Sequence, residues 1–166
     1  MSSPITGAAK HDPFLVYANF SKHIKLNYPA DWKAQEREDT TGFLVMFLSA
    51  AEGPGDPFLE NLNVVIVDLP QIVSLEAYVE FNLAQMRQFP VQLLESARCT
   101  LGGMTAQRVL FSGPLPLPMG PFQGKYLSYS TLRGKRSYTA TFTAQANKYE
   151  KFLPTVERMI SSIEIG

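Results

Sequence analysis

Cysteine occurs once and histidine twice in this 166-residue chain, and these scarcities remove several classes of function at once. A single thiol, Cys99, allows no intrachain disulfide and no multi-cysteine zinc site. It lies in "LLESARCTLGG" among strand-like residues, where a buried, unreactive thiol is the expectation. His11 belongs to an N-terminal tail and His23 to the polar face of a strand pattern, so no metal-ligand set forms around them. An excess of either charge is missing too: fifteen basic and fifteen acidic side chains give a formal net charge of zero. Without a basic surplus the chain is not expected to bind nucleic acid. A partner would be held by shape and local patches rather than by long-range steering.

Long apolar runs are absent as well. None approaches the ~20 residues of a membrane helix, and the start "MSSPITGAAKHDP" has no apolar signal core. The expectation is a soluble polypeptide, cytoplasmic as it stands, or lumenal or periplasmic if it is a processed form. Peripheral association with a membrane complex stays compatible with this. Neither a G-x-S-x-G elbow nor a phosphate-binding loop with its lysine occurs. No enzyme can be assembled from these parts, and no cofactor is implied.

What is present is an ordinary globular composition, 45% apolar and 18% charged, long enough for one core. Residues 1–13 read as a flexible tail and 14–166 as one domain. Strands are expected at 14–20 and 23–28, joined by a two-residue link Ser21-Lys22, with Pro29 ending the second. Two continuous apolar runs, 42–50 and 62–69, read as central strands. Between them "AEGPGDPFLEN" carries Phe58 and Leu59 in a turn-rich loop. Ser74 caps a helix over 74–90, whose Leu75, Tyr78, Val79, Leu83 and Met86 form one apolar stripe.

Four more strands follow at about 92–100, 104–112, 125–133 and 136–145, with turns at Gly102-Gly103 and Arg133-Gly134. In the last of them Tyr138, Ala140, Phe142 and Ala144 take one face and Thr139, Thr141 and Thr143 the other. Val156, Met159, Ile160 and Ile163 mark a closing helix. Its start is either a capping box at Asn147 and Glu150 or a point nearer 152, because Pro154 fits a helix interior poorly. The pattern is α+β: an antiparallel sheet of about six to eight strands packed with helices.

The candidates for chemistry are few. Glu36, Glu38 and Asp39 in "EREDTTG" read as a solvated loop rather than a catalytic acid pair. Lys125, Arg133, Lys135 and Arg136 read as a solubilising basic tip. The stretch "FSGPLPLPMGPFQGK", residues 111–125, places four prolines within eight positions. Pro114, Pro116 and Pro118 alternate with Leu115, Leu117 and Met119 in an extended backbone that cannot be a central strand. Two readings stand. The leucines fold back on their own domain, or Leu115, Leu117, Met119 and Phe122, with Phe58 and Leu59, form an apolar contact for a protein partner.

"SKHIKLNYPADW" resembles the opening of the PsbP-like superfamily, through a strand ending in Tyr28-Pro29 and followed by Trp32. The resemblance continues through an apolar strand at 43–48, the Asn-Leu-Asn-Val-Val strand at 61–65 and the helix "SLEAYVEFNLAQM". The strand pair around "LGGMTAQRVLF", the hairpin "YLSYST…RSYTATFTA" and the closing "VERMISSIEI" complete it, so it covers about 14–165. It implies an α/β/α sandwich and a non-enzymatic binding or assembly role. Members of the superfamily include photosystem-associated accessory factors, a Ran-binding import factor, and DcrB-like and Eag-type chaperones of apolar client segments. A small-ligand carrier with a pocket between sheet and helix is the alternative. Tyr28, Pro29 and Trp32 would identify the fold, not a site.

Overall fold

The computed structural model describes residues 13–115, 117 and 122–166. Strands β1 (Phe14–Asn19) and β2 (Ile24–Pro29) form the opening hairpin, in register from Phe14 opposite Pro29 to Asn19 opposite Ile24. The link is four residues rather than two. Asn19 Oδ1 accepts the Ser21 hydroxyl and the Lys22 N–H, and His23 closes the turn in the left-handed region at φ 57°. His23 is therefore a turn residue rather than part of the strand face. Pro29 is the last paired residue, and the Trp32 N–H returns to its carbonyl at 3.0 Å.

β3 (Lys33–Asp39) was not legible as a strand, since six of its seven residues are polar or charged. It forms one edge of a seven-stranded antiparallel sheet, paired with β4 (Gly42–Leu48). On an edge, charged side chains stay in water and discourage pairing with another chain. The acids that read as a loop thus stand on that strand. Glu36 accepts the Tyr17 hydroxyl, and Glu38 pairs with Lys22 at 2.6 Å.

The order continues through β5 (Asn61–Asp68), β9 (Arg136–Gln145), β8 (Phe122–Arg133), β7 (Met104–Leu115) and β6 (Gln92–Leu101). Gly102 and Gly103, at φ 59° and 80°, make the two-residue turn between Leu101 and Met104 that side chains would resist. The expected sheet is accordingly present, but the opening hairpin is not part of it. β1 and β2 form a separate three-stranded sheet with β10 (Glu164–Ile165), where Ile165 pairs with Ile24.

The core lies on one face of the large sheet. Phe43, Val45, Phe47, Leu62, Val64, Ile66, Tyr138, Phe142 and Leu127 meet Ile24 and Leu26 of β2 there. Helix α2 (Tyr149–Ser161) adds Val156, Met159 and Ile160. Its N-cap is Lys148 without a side-chain bond, so the Asn147–Glu150 capping box does not form. Pro154 sits inside the helix and removes one backbone donor, which the burial of the α2 stripe outweighs. Trp32 is 8% exposed and meets Phe152 of α2 edge-on, as its place after Tyr28-Pro29 implied. No helix among the described residues is long and apolar enough to cross a membrane.

Helix α1 (Leu75–Met86) covers the opposite face. Ser74 caps it by accepting the Ala77 N–H at 3.0 Å. It ends at Met86, four residues before Pro90, in a turn from Gln85 to Phe89. No α1 residue is buried, although its stripe points at the sheet.

Candidate functional site

Strand alternation creates the second face. With Tyr138, Ala140 and Phe142 turned to the core, Thr139 and Thr141 of β9 must face α1. The register sets Ser130 and Ser128 of β8 beside them, Gln107 and Val109 of β7 next, and Val65 of β5 on the other flank. A hydroxyl row runs across the sheet: Ser130 and Thr139 lie 3.3 Å apart, and the Tyr78 hydroxyl reaches Thr139 at 3.5 Å. Above the row stand the half-buried Tyr78, Val79, Leu83 and Met86. Between helix and sheet is a cavity of about 310 Å³. At one end Phe111 stacks on Tyr126 with ring centres 4.9 Å apart.

A second depression of about 540 Å³ adjoins it across Tyr78 and Asn82, lined by Val67, Leu69, Pro70, Val73, Ala77 and Phe81. The two form one groove along α1. No charged side chain lines either part. Apolar side chains border it openly: Phe81 is 61% exposed and Val65 38%. The Asn63 Oδ1, on the same face of β5 and opposite Thr141, is buried without a partner.

A serine or threonine hydroxyl needs a neighbouring base to become a nucleophile. The lining holds no histidine, cysteine or carboxylate. Cys99 is half-buried on β6 rather than fully buried, and burial pushes its thiol above the usual range.

The residues proposed from the proline stretch do not assemble into one exposed patch. Leu115 is 3% exposed and belongs to β7, which runs through Pro114. The strand runs three residues past the expected end at 112, but this extension is paired on one side only, so the prolines are not in a central strand. β6 pairs no further than Ser112, so beyond it β7 has no neighbour on that side to miss the proline N–H. Leu117 is half-buried and its N–H bonds the Leu115 carbonyl at 2.9 Å. Phe122 is half-buried opposite Leu115, and Met119 lies outside the described residues. Phe58 and Leu59 are half-buried between β4 and β5. The basic tip is also partly consumed, since Arg136 forks onto Asp68 at 2.7 and 3.4 Å. Sequence reasoning kept a pocket between sheet and helix as an alternative but named none of its residues, although its signals were visible as the α1 stripe and the threonine row of β9.

No family model and no curated protein matches the chain in sequence. Solved structures match it in fold. The solution structure of cyanobacterial PsbP (CyanoP) from Synechocystis sp. PCC 6803 superposes with a TM-score of 0.65 at 14% identity, over 92% of each chain. LpqN of Mycobacterium tuberculosis, involved in cell envelope biogenesis, gives 0.63 at 13% identity, over 93% of this chain and 86% of that one. The Saccharomyces cerevisiae Ran-binding protein Mog1p gives 0.57 at 10% identity, over 92% and 95%. The chain therefore has the PsbP-like fold that its sequence resembled.

Proposed function

We propose that this PsbP-like domain is a non-enzymatic binding module that holds an apolar segment of a partner protein in the groove beneath α1. The observation that carries the reading is the groove itself: an uncharged lining, a hydroxyl floor, and a covering helix with no buried residue. A helix held so lightly shifts at little cost, which suits a site that must admit a side chain or two. The floor supplies hydrogen bonds to a partner backbone while the stripe of α1 takes its apolar side chains. That one solved relative in fold is a Ran-binding protein supports a protein ligand. The narrower reading, an accessory factor of a photosystem, rests on the sequence resemblance to the photosystem-associated members of the PsbP-like superfamily.

Affinity capture from native extract, with soluble and membrane fractions kept apart, tests both. Three baits are compared: wild type, Val65→Arg, and a chain with residues 116–121 replaced by a short Gly-Ser turn. The guanidinium of Val65→Arg puts an unpaired charge into the groove and is expected to cut capture about ten-fold or more. The turn replacement is expected to leave capture unchanged. Loss with the turn variant alone would return the contact to the proline stretch, and photosystem subunits in the membrane fraction would select the narrower reading.

A further inference from the structure

At the opposite edge of the core, the link between β4 and β5 folds around three acids. Asp56 accepts the Glu52 N–H at 3.0 Å and the Phe58 N–H at 3.3 Å, and its own N–H bonds the Gly53 carbonyl. Its side chain is 1% exposed. Glu60, just before β5, is fully buried, and its Oε2 accepts the Gln145 N–H at 3.2 Å. One carboxylate oxygen from each of Glu52, Asp56 and Glu60 lies within 4.8 Å of the others. Lys148 places its ammonium between two of them, 2.8 Å from Glu52 and 3.3 Å from Asp56, and Lys151 pairs with Glu52 from outside.

The third acid is left out. Glu60 Oε1 is buried with no partner. Ser49 Oγ and Gln145 Nε2 are buried without partners as well, and both residues bond Glu60 through their backbone N–H. Buried polar atoms without partners are rare, and an ordered water or ion is one way to satisfy them. Burial raises the Glu60 carboxyl above the usual carboxylate range, while Asp56 resists its own burial through the two N–H bonds and Lys148. Glu60 thus brings an unfilled carboxylate oxygen to Glu52 and Asp56, which already gather around a side-chain cation.

We propose that this loop is a binding site for a hard divalent cation of the calcium type, which takes the place of the Lys148 ammonium between Glu52, Asp56 and Glu60. The ligand set is all oxygen, which selects hard cations over zinc or copper. Calcium–oxygen bonds of about 2.4 Å put two ligands on one ion at most about 4.8 Å apart, and the three carboxylates already meet that spacing. Lys148 has a flexible stem long enough to swing into solvent. The inference is independent of the groove on the α1 side.

The test uses the full chain, stripped with a chelator and titrated with CaCl₂ by calorimetry and thermal unfolding. Calcium is expected to raise the melting temperature of the wild type, whereas sodium chloride at equal ionic strength is not. Lys148→Met should melt lower than wild type without calcium, regain that loss when calcium is added, and bind it about ten-fold more tightly. Glu60→Gln, with Glu52→Gln as the milder companion on a part-exposed acid, should each weaken binding about ten-fold or more. The proposal is overturned if wild type and Lys148→Met both show no calcium-dependent shift, or if the two glutamine variants bind as tightly as wild type.

Discussion

Phe47→Ala is expected to destabilise the chain by about 3–5 kcal/mol, the usual range for deleting a fully buried ring. Phe47 is 0% exposed near the C-terminal end of β4. The Tyr17 ring of β1 meets it edge-on at 5.6 Å and the Tyr28 ring of β2 at 5.0 Å. The ring therefore joins the large sheet to the small one, and its loss opens a cavity between two layers that cannot collapse independently. Set against a total stability of about 5–15 kcal/mol, this is a large fraction. Urea unfolding of Phe47→Ala beside Val65→Ala measures it. Val65, on the α1 face and 38% exposed, should cost about 1 kcal/mol or less. Equal costs for the two would mean that the core does not lie between the sheets.

The second large effect concerns the proline stretch. Leu115→Ala is expected to cost about 2–5 kcal/mol, whereas Leu117→Ala, one turn further out and half-buried, should cost clearly less. The reason is Gly124 on the facing strand. A Cβ placed there would stand 2.5 Å from Leu115 Cδ2, 2.8 Å from its Cγ and 3.3 Å from the Ala144 carbonyl. Gly124→Ala alone thus forces a packed leucine to move, at about 1–3 kcal/mol. Removing the leucine vacates the space that the new methyl needs. The double variant should then cost less than the sum of the two by about 1 kcal/mol or more, read from a double-mutant cycle. Strict additivity would show that Leu115 is not seated on Gly124 and stands available to a partner.

These two expectations also mark where sequence reasoning succeeds and where it stops. The burial of Trp32 after Tyr28-Pro29, the alternation of β9 and the Gly102-Gly103 turn are local, and local chemistry decides them. β3 escaped notice because an edge strand faces water on most sides and needs no apolar pattern. The separation of the opening hairpin into its own sheet depends on β10, two residues long, whose pairing with β2 no local signal announces. The extension of β7 through Pro114, past its expected end at 112, was hidden for a similar reason. Whether a missing N–H matters depends on how far the neighbouring strand extends, and β6 stops pairing at Ser112.

The groove follows the same logic. The α1 stripe and the row of Thr139 and Thr141 are each visible in the sequence, but a stripe normally signals a helix buried in the core. Here it faces hydroxyls and leaves space, so the helix has an apolar side without a buried residue. Only the pairing of β5, β9, β8 and β7 brings the two patterns together.

Methyl-resolved NMR during a titration with 1-octanol, a small neutral amphiphile, tests this central claim most directly. Its hydroxyl suits the Ser130–Thr139 row and its chain the apolar wall of α1. The account predicts saturable, concerted shifts at Val65, Val79, Leu83 and Val109, while Val45, Val64 and Leu115 stay in place. Shifts that first appear at Leu117 or on the core face, with the groove methyls unmoved, would contradict it.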